Sequence, residues 1–395
     1  MPLADVPLSL YVHFPWCVRK CPYCDFNSYT LRDELPEERY VAALEADLEL
    51  QAREVAGREV ISIFMGGGTP SLFSPEAIAR VLAAARRHLR LADDVEVTLE
   101  ANPGTIERGR FAEYRAAGVN RVSLGAQSFD AARLEALGRI HSPRETVRAA
   151  EELHAAGLTN FNLDLMYGLP GQDLPGALRD IEQALALEPA HVSHYQLTIE
   201  PGTVFAGVRP SLPTDEEIAD MLPPVQERLA AAGFAQYEVS AYARPTRRCR
   251  HNLNYWTFGD YLGIGAGAHG KLTSAASGTI VRTSRIREPR RYLSSSAEPP
   301  VRREVQPAEL PFEFAMNALR LTEGFSMGLF SRRTGLGAAA IEPTLSVLET
   351  RGLVARDGDR WYPTVVGLRF LNDALIEFLP DTPESAGKLR LSSAP

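Results

Sequence analysis

The chain has 395 residues, 45% of them hydrophobic and 23% charged, and a formal net charge of -8 at pH 7. This is the composition of a globular protein, and the length fits two domains or one large barrel with an appendage. The acidic balance argues against a nucleic-acid partner, because neutralising phosphates requires clustered cations. No apolar stretch reaches about 18 residues and no signal-peptide pattern opens the chain, so we expect a cytoplasmic protein.

Short β-rich runs alternate with longer runs of helical spacing as far as about residue 240. This alternation is typical of a parallel α/β fold. Ser142 and Glu145 predict a helix that begins with a capping box and has Pro143 at its first position. Six regular βα units favour an open or incomplete (β/α)6 barrel of the TIM type over a doubly wound sheet, although periodicity alone does not decide between them. The predicted strands are 8–14, 60–65, 95–100, 121–124, 161–166 and 191–198.

The pattern changes after residue 240. Residues 250–270 are rich in glycine and aromatic side chains, and residues 294–304 are polar and contain prolines. The remainder has helices and then two short strands around Asp357-Gly358, which indicates a winged-helix-like α+β module. We therefore predict a partial barrel at 1–240, a motif segment and linker at 241–300, and a C-terminal domain at 301–395. Because that domain carries no basic cluster, a structural or protein-contact role is favoured over DNA binding.

Three of the four cysteines form the motif Cys17-x3-Cys21-x2-Cys24 directly after the first predicted strand. Barrel enzymes place their chemistry in the loops at this end of the strands. A structural zinc site normally uses four protein ligands, whereas only three cysteines are local here. Three thiolates suit a [4Fe-4S] cluster with one iron left open for a small ligand. A zinc site completed by His13 or by the distant Cys249 is the alternative.

The string from Tyr11 to Cys24 resembles the radical S-adenosylmethionine (SAM) superfamily, whose members carry this cysteine motif after the first strand of a partial (β/α)6 barrel. It is close to the subgroup of oxygen-independent coproporphyrinogen oxidases. The resemblance implies that SAM binds the open iron and that an electron from the cluster cleaves it. The run of three glycines and Thr69-Pro70 after the second strand looks like the family's glycine motif, and Gly67, Gly68 and Thr69 are the residues it assigns to SAM.

Polar residues close three further predicted strands, namely Glu100, Gln127 and Asp164. Burying such a side chain without a partner is costly, so each marks either a site or a satisfied internal hydrogen bond. Their common strand end indicates one shared cavity. On first principles, an arginine in a loop is usually a solvated charge. By resemblance, SAM is contacted through its carboxylate or ribose by Gln127, Arg139 and Asp164, and the same pocket is lined by Tyr11, Tyr23 and Glu100.

Two features of the sequence point away from the oxidases and to a different subgroup. Those oxidases carry a fourth cysteine two positions after the third, where this chain has Phe26. Residues 250–256 match the His-Asn-x-x-Tyr-Trp motif of the haem chaperone family HemW. His251 offers a nitrogen for the haem iron, and Tyr255 and Trp256 offer rings for the porphyrin faces. On residue types alone, a histidine beside aromatic residues is more often a core residue. The role of Cys249, two residues before His251, stays open.

The resemblance therefore implies a cytoplasmic haem chaperone that binds haem, a [4Fe-4S] cluster and SAM. It also implies delivery of haem to a membrane haemoprotein, such as a respiratory enzyme, at the inner face of the membrane. Coproporphyrinogen oxidase activity is not expected, and no catalytic residue is assigned. The alternatives are a radical SAM oxidase that decarboxylates coproporphyrinogen III and a structural zinc protein. Formation of a homodimer is left open.

Overall fold

The computed structural model describes residues 6–104 and 110–380. Within these ranges the chain forms an α/β unit around one large sheet and a smaller α+β unit after it. The strands are β1 (Leu8–Phe14), β2 (Trp16–Cys17), β3 (Tyr29–Thr30), β4 (Glu59–Gly67), β5 (Arg90–Ala101), β6 (Arg121–Gln127), β7 (Phe161–Tyr167), β8 (His191–Gln196), β9 (Ala235–Glu238), β10 (Ala241–Ala243), β11 (Asp260–Ile264), β12 (His269–Ser274), β13 (Thr279–Ser284), β14 (Val301–Glu304), β15 (Phe325–Ser326), β16 (Val354–Asp357) and β17 (Arg360–Pro363). The helices are α1 (Glu37–Ala52), α2 (Pro75–His88), α3 (Phe111–Ala117), α4 (Ala131–Ala136), α5 (Pro143–Ala155), α6 (Leu174–Ala186), α7 (Val204–Val208), α8 (Asp215–Ala231), α9 (Arg250–Trp256), α10 (Pro289–Ser295), α11 (Leu310–Ala318), α12 (Met327–Thr334), α13 (Glu342–Thr350), α14 (Val365–Arg369) and α15 (Leu371–Ile376).

Six parallel strands form the centre of the large sheet. β1 pairs with β4, and the series continues through β5, β6 and β7 to β8. Because the strands run in the same direction, their carboxyl ends meet at one edge. The described part of the sheet does not close on itself, since β14 and β9 are its outermost strands. The predicted partial (β/α)6 barrel is confirmed.

The predicted strands are confirmed, with differences at their ends. β5 begins at Arg90 rather than at residue 95, and β8 ends at Gln196 rather than at residue 198. The predicted capping box is also confirmed, because Ser142 and Glu145 cap the start of α5 reciprocally and Pro143 is its first residue. Such local hydrogen bonds depend only on neighbouring residues, which is why the sequence predicts them well.

Residues 241–300, predicted as a motif segment and linker, contribute strands to the large sheet. β11 pairs in parallel with β1, on the side opposite β4, and β12 to β14 continue it in antiparallel pairs. Gly265 follows β11 with a φ of 101°, and a Cβ there would lie 2.4 Å from the carbonyl oxygen of His13. Glycine therefore allows the chain to turn directly against β1. Periodicity did not predict this strand, because glycines interrupt its apolar pattern.

The smaller unit contains α11 to α15 and a sheet in the order β15-β17-β16, which confirms the winged-helix-like α+β fold. Its core includes Phe314 and Trp361, and Phe258 and Ile280 from the preceding segment join the same core. The two units thus share apolar contacts, and the predicted boundaries at 240 and 300 stay a prediction. In the described residues, every helix is too short or too polar to cross a membrane.

Candidate functional site

A cavity of about 440 Å³ opens where the six parallel strands end. Its wall is formed by the loop after β1, by the glycines around the end of β4, and by side chains near the ends of β5 to β8. The structure therefore brings most residues predicted for the cluster and SAM into one place. Those that line the cavity are Cys17, Cys21, Tyr23, Cys24, Gly67, Gly68, Thr69, Glu100, Gln127, Arg139 and Asp164.

The three motif cysteines lie in a loop that hydrogen bonds hold in shape. Each is half-buried and free of disulfides. The backbone N–H of Cys24 donates to the carbonyl oxygen of Cys21 at 3.1 Å. Lys20 Nζ donates to the carbonyl oxygens of Phe26 at 2.9 Å and Ser28 at 3.1 Å. Lys20 thus connects the first half of the loop to its second half by hydrogen bonds. The Phe26 side chain is 59% exposed and lines the cavity.

The donor set fits an iron-sulfur cluster better than a zinc ion. No three His, Cys, Asp or Glu side chains among residues 6–104 and 110–380 come close enough together to hold one metal ion. His13 is engaged at both ring nitrogens, with the Tyr11 hydroxyl and the Asn27 carbonyl oxygen, each at 2.9 Å. Cys249 is fully buried outside the cavity, and its thiol donates to Glu96 at 3.6 Å. Neither residue considered as a fourth zinc ligand is available to complete a tetrahedral site.

Two glycines of the motif are required by the packing of the chain itself. Gly67 has a φ of 111°, and a Cβ there would lie 2.3 Å from the ring of His13. A Cβ on Gly68 would lie 2.6 Å from the carbonyl oxygen of Trp16. The expected reason for glycine was the approach of a ligand to bare backbone. The structure adds a second reason, because these positions also lie against the loop that carries the cysteines.

Two half-buried carboxyl groups, those of Glu100 and Asp164, line the cavity. Glu100 accepts the backbone N–H of Gly67 at 3.0 Å. Burial, reinforced by the neighbouring Asp164 carboxylate, raises the pKa of Glu100 to about 8. Asp164 accepts from the Ser123 hydroxyl at 2.8 Å and the Asn162 amide at 2.9 Å, and burial raises its pKa as well. The pair can therefore hold a proton near neutral pH while Asp164 is kept in a fixed orientation.

Gln127 ends β6 in a left-handed conformation, with a φ of 66°. Its Oε1 accepts from the Tyr195 hydroxyl at 2.8 Å. Strained backbone of this kind in a non-glycine residue is concentrated at functional sites. Tyr195 was not predicted from the sequence, although it lies one residue before the end of β8, where the strand-end rule would have found it. The cavity residues Asn102, Ser123 and Met166 were not predicted either.

Arg139 is half-buried in the cavity wall rather than solvated. Its Nη2 donates to the carbonyl oxygen of Gly125 at 2.8 Å, and its Nη1 lies 3.7 Å from Cys21 Sγ. Tyr23, which lies between two motif cysteines, packs near Phe205 of α7 with 6.3 Å between ring centroids. Loop residues far apart in the chain thus close the cavity around the cysteine loop.

Tyr11 and the haem-motif residues lie outside this cavity. His251 is 1% exposed, and its ring stacks on Phe64 at 5.0 Å. Its Nδ1 is bonded to the Ser62 hydroxyl at 3.0 Å and its Nε2 to the Tyr255 hydroxyl at 2.9 Å. The ring of Tyr11 lies 6.4 Å from that of His251. Burial lowers the pKa of His251 to about 3, so the imidazole is neutral at pH 7.

Tyr255 and Trp256 line a second, smaller cavity of about 130 Å³ next to α11. The guanidinium of Arg320 lies 4.4 Å from the centre of the Trp256 ring. At the other end of α9, the Glu96 carboxylate accepts the backbone N–H groups of Arg250 and His251, each at 3.2 Å. The structure therefore separates the haem motif from the cysteine cavity and fixes its helix by a carboxylate from β5.

Comparison with known proteins gives a consistent picture. Residues 11–187 match the Radical SAM superfamily, and residues 305–370 match the HemN C-terminal domain. The chain is 50% identical over 380 residues to the Heme chaperone HemW of Escherichia coli (strain K12), which covers 95% of this chain and 99% of that protein. The Heme chaperone HemW of Bacillus subtilis (strain 168) is 35% identical over 381 residues, with 94% and 99% covered. The chain belongs to the HemW family.

A solved structure shares the fold of this HemW family member. Coproporphyrinogen III oxidase (HemN) from Escherichia coli, a radical SAM enzyme, matches with a TM-score of 0.79, covering 95% of this chain and 90% of that chain. Since the sequence identity is 23%, this likeness concerns the fold alone. The resemblance to HemW and to the radical SAM superfamily stated from the sequence is confirmed.

Proposed function

We propose that this HemW family member is a haem chaperone that carries a [4Fe-4S] cluster and SAM at the strand ends of its barrel and delivers haem to a membrane haemoprotein. The observation that carries the proposal is the 50% identity, over nearly the whole of both chains, to a protein named Heme chaperone HemW. Three free cysteines line one cavity, and this arrangement supports the assignment of a [4Fe-4S] cluster to it. Phe26, where the oxidases have a fourth cysteine, supports the chaperone over the oxidase.

The side chains of the cavity suit the parts of SAM. Cys17, Cys21 and Cys24 would hold the cluster, which supplies an electron to SAM when bound. Asp164, oriented by Ser123 and Asn162, is suited to accept hydrogen bonds from hydroxyl groups such as those of a ribose. The remaining residues that we assign to SAM are Gly67, Gly68, Thr69, Glu100, Gln127 and Arg139. Tyr23 lines the same cavity, and Tyr11, which we also assign to this site, lies outside the cavity lining.

We assign the haem to His251, Tyr255 and Trp256. The depressed pKa of His251 favours the proposal, because the neutral imidazole is the form that binds iron. Ligation through Nε2 requires the Tyr255 hydroxyl to give up its 2.9 Å hydrogen bond. A buried hydrogen bond of this kind contributes about 1 kcal/mol, which an iron-nitrogen bond readily offsets. Because His251 is 1% exposed, the proposal also includes an outward shift of α9 when haem binds.

Titration with haemin tests this assignment. We expect a Soret shift with the wild-type protein, loss of that shift in His251→Ala, and its retention in Tyr255→Phe, which removes the competing hydroxyl but keeps the ring. Equal spectra for wild type and His251→Ala would refute the assigned ligand. Absence of any Soret shift in the wild-type protein would refute the chaperone function itself.

The oxidase alternative is tested by anaerobic incubation of the reconstituted protein with SAM and coproporphyrinogen III. We expect the substrate to keep all of its propionate groups. Formation of protoporphyrinogen would replace the chaperone proposal with a radical SAM oxidase. Iron and acid-labile sulfide analysis of the same preparation tests the cluster, and one zinc per chain without sulfide would contradict it.

Three further assignments belong to this proposal. The recipient is a membrane haemoprotein, so we place the chain in the cytoplasm with a peripheral position at the inner face of the membrane. The unit at 301–395 serves protein contact rather than nucleic-acid binding. A homodimer is compatible with the proposal. Sedimentation velocity with and without haemin measures the oligomeric state. Co-sedimentation with inner-membrane vesicles, dependent on haemin, is the expected sign of delivery.

A further inference from the structure

Arg139 places a positive charge against one of the motif cysteines. Its Nη1 lies 3.7 Å from Cys21 Sγ, within donor distance of a sulfur acceptor. Its Nη2 donates to the carbonyl oxygen of Gly125 at 2.8 Å and to Oδ1 of Asn102. The guanidinium is half-buried at the cavity wall, where surrounding protein keeps most water away. A charge in such a place is screened much less than a surface charge.

Asn102 fixes the position of that charge. Its Oδ1 accepts from Arg139, and its Nδ2 donates to Thr69 Oγ1 at 2.9 Å. Thr69 is buried directly after the glycine motif, and its backbone N–H donates to the carbonyl oxygen of Trp16 at 2.8 Å. Asn102 therefore connects the arginine after α4 to the segment after β4 that packs on the cysteine loop. The amide leaves the guanidinium little freedom to turn away from Cys21.

We propose that Arg139 raises the reduction potential of the cluster by donating to Cys21 and that Asn102 is the positioning residue for this contact. The inference rests on the cluster proposed above. A reduced cluster carries one more negative charge than an oxidised one, and a cationic donor to a ligand sulfur stabilises the added charge. The contact therefore raises the reduction potential of the cluster, whatever reaction the electron then serves.

The test is a redox titration with dithionite, monitored by electron paramagnetic resonance, on the full chain reconstituted with iron and sulfide. Arg139→Gln removes the charge and Asn102→Ala releases the arginine. Arg144→Gln is the matched control, since Arg144 is an exposed arginine at the start of α5 that does not line the cavity. At a fixed potential we expect about a tenfold lower ratio of reduced to oxidised cluster in Arg139→Gln, because a charge-assisted hydrogen bond is lost. Asn102→Ala shifts the ratio less in the same direction, and Arg144→Gln leaves it unchanged.

Equal midpoint potentials for Arg139→Gln and wild type would overturn the inference, as would an equally large shift in Arg144→Gln. If Arg139→Gln does not assemble a cluster, Arg139→Lys serves instead, because it keeps the charge and shortens the reach. The melting temperature of each variant identifies a merely structural defect, which would not move the midpoint potential. If the wild-type protein binds no iron and sulfide after reconstitution, the proposed function is contradicted. If the wild-type protein assembles a cluster but the variants have the same midpoint potential, only this inference is contradicted.

Discussion

The cysteine cavity and helix α9 each carry a sequence motif, but they present it in opposite ways. In the cavity, the three thiols are half-buried around a space of about 440 Å³. On α9, His251 is 1% exposed and both of its ring nitrogens already have partners within the protein. The cavity is therefore preorganised for a ligand, whereas the α9 motif must exchange an internal hydrogen bond for one. Motifs of similar specificity in a sequence can thus differ in how ready they are to bind.

The cysteines allow the sharpest test of this contrast. Cys21→Ser removes a thiolate from the open site, and we expect loss of bound iron and sulfide after anaerobic reconstitution. Cys249→Ser is the control, because that thiol is buried against Glu96 outside the cavity. We expect its iron and sulfide content to equal that of wild type. A reduced content in Cys249→Ser would mean that the cluster draws on α9 and that the two regions are one site.

Gly68→Ala tests how rigidly the cavity is built. The added Cβ would meet the backbone oxygen of Trp16 at 2.6 Å, and backbone cannot move aside cheaply. We expect the free energy of unfolding to fall by about 1–3 kcal/mol, measured by denaturant titration. Gly207→Ala is the control, because a Cβ there meets nothing within 4 Å and the residue lies inside α7. An equal effect of the two variants would show that the cavity wall is adaptable.

Glu96→Gln probes the anchoring of α9. The carboxylate accepts hydrogen bonds from two backbone N–H groups at the start of the helix. The amide oxygen of glutamine can still accept them, but it lacks the negative charge of the carboxylate. We expect a loss of about 1–2 kcal/mol in the free energy of unfolding. Asp94→Asn is the control, because Asp94 is an exposed partner of Arg250 and surface ion pairs contribute little. If Glu96→Gln also strengthens haemin binding, the anchored helix is what holds the motif closed.

Glu100 gives an effect of a different kind, a dependence of stability on pH. Its pKa is raised by burial and by Asp164, from an ordinary value near 4.5 to about 8, and Tyr11 and the backbone of Gly67 also face it. The native state therefore keeps a proton that the unfolded chain releases. Stability should fall as pH rises from about 4.5 to about 8. Melting temperatures of the cofactor-free protein over this range should decline less in Glu100→Gln, and an identical decline would contradict the raised pKa.

Much of the cavity could be predicted because it depends on the order of elements along the chain. Glu100 ends a predicted strand, Cys17 follows the end of another and Asp164 lies in the second half of a third. Parallel strands bring their carboxyl ends together whatever the packing of the helices. Tyr195 could have been found by the same rule. Asn102 and Arg139 could not be assigned as a pair, because residues 37 positions apart meet only in the folded chain.

The sequence by itself determined the fold class, the location of the cysteine cavity and the family, since each depends on local periodicity or on short motifs. Only the tertiary structure decided that β11 lies beside β1, that Arg139 is a wall residue, and that His251 is enclosed. The partner of His251, Ser62, lies 189 positions away on strand β4. An imidazole beside tyrosine is chemically suited both to binding iron and to bonding within a core. The partners that long-range packing supplies decide between these roles, and no local pattern contains them.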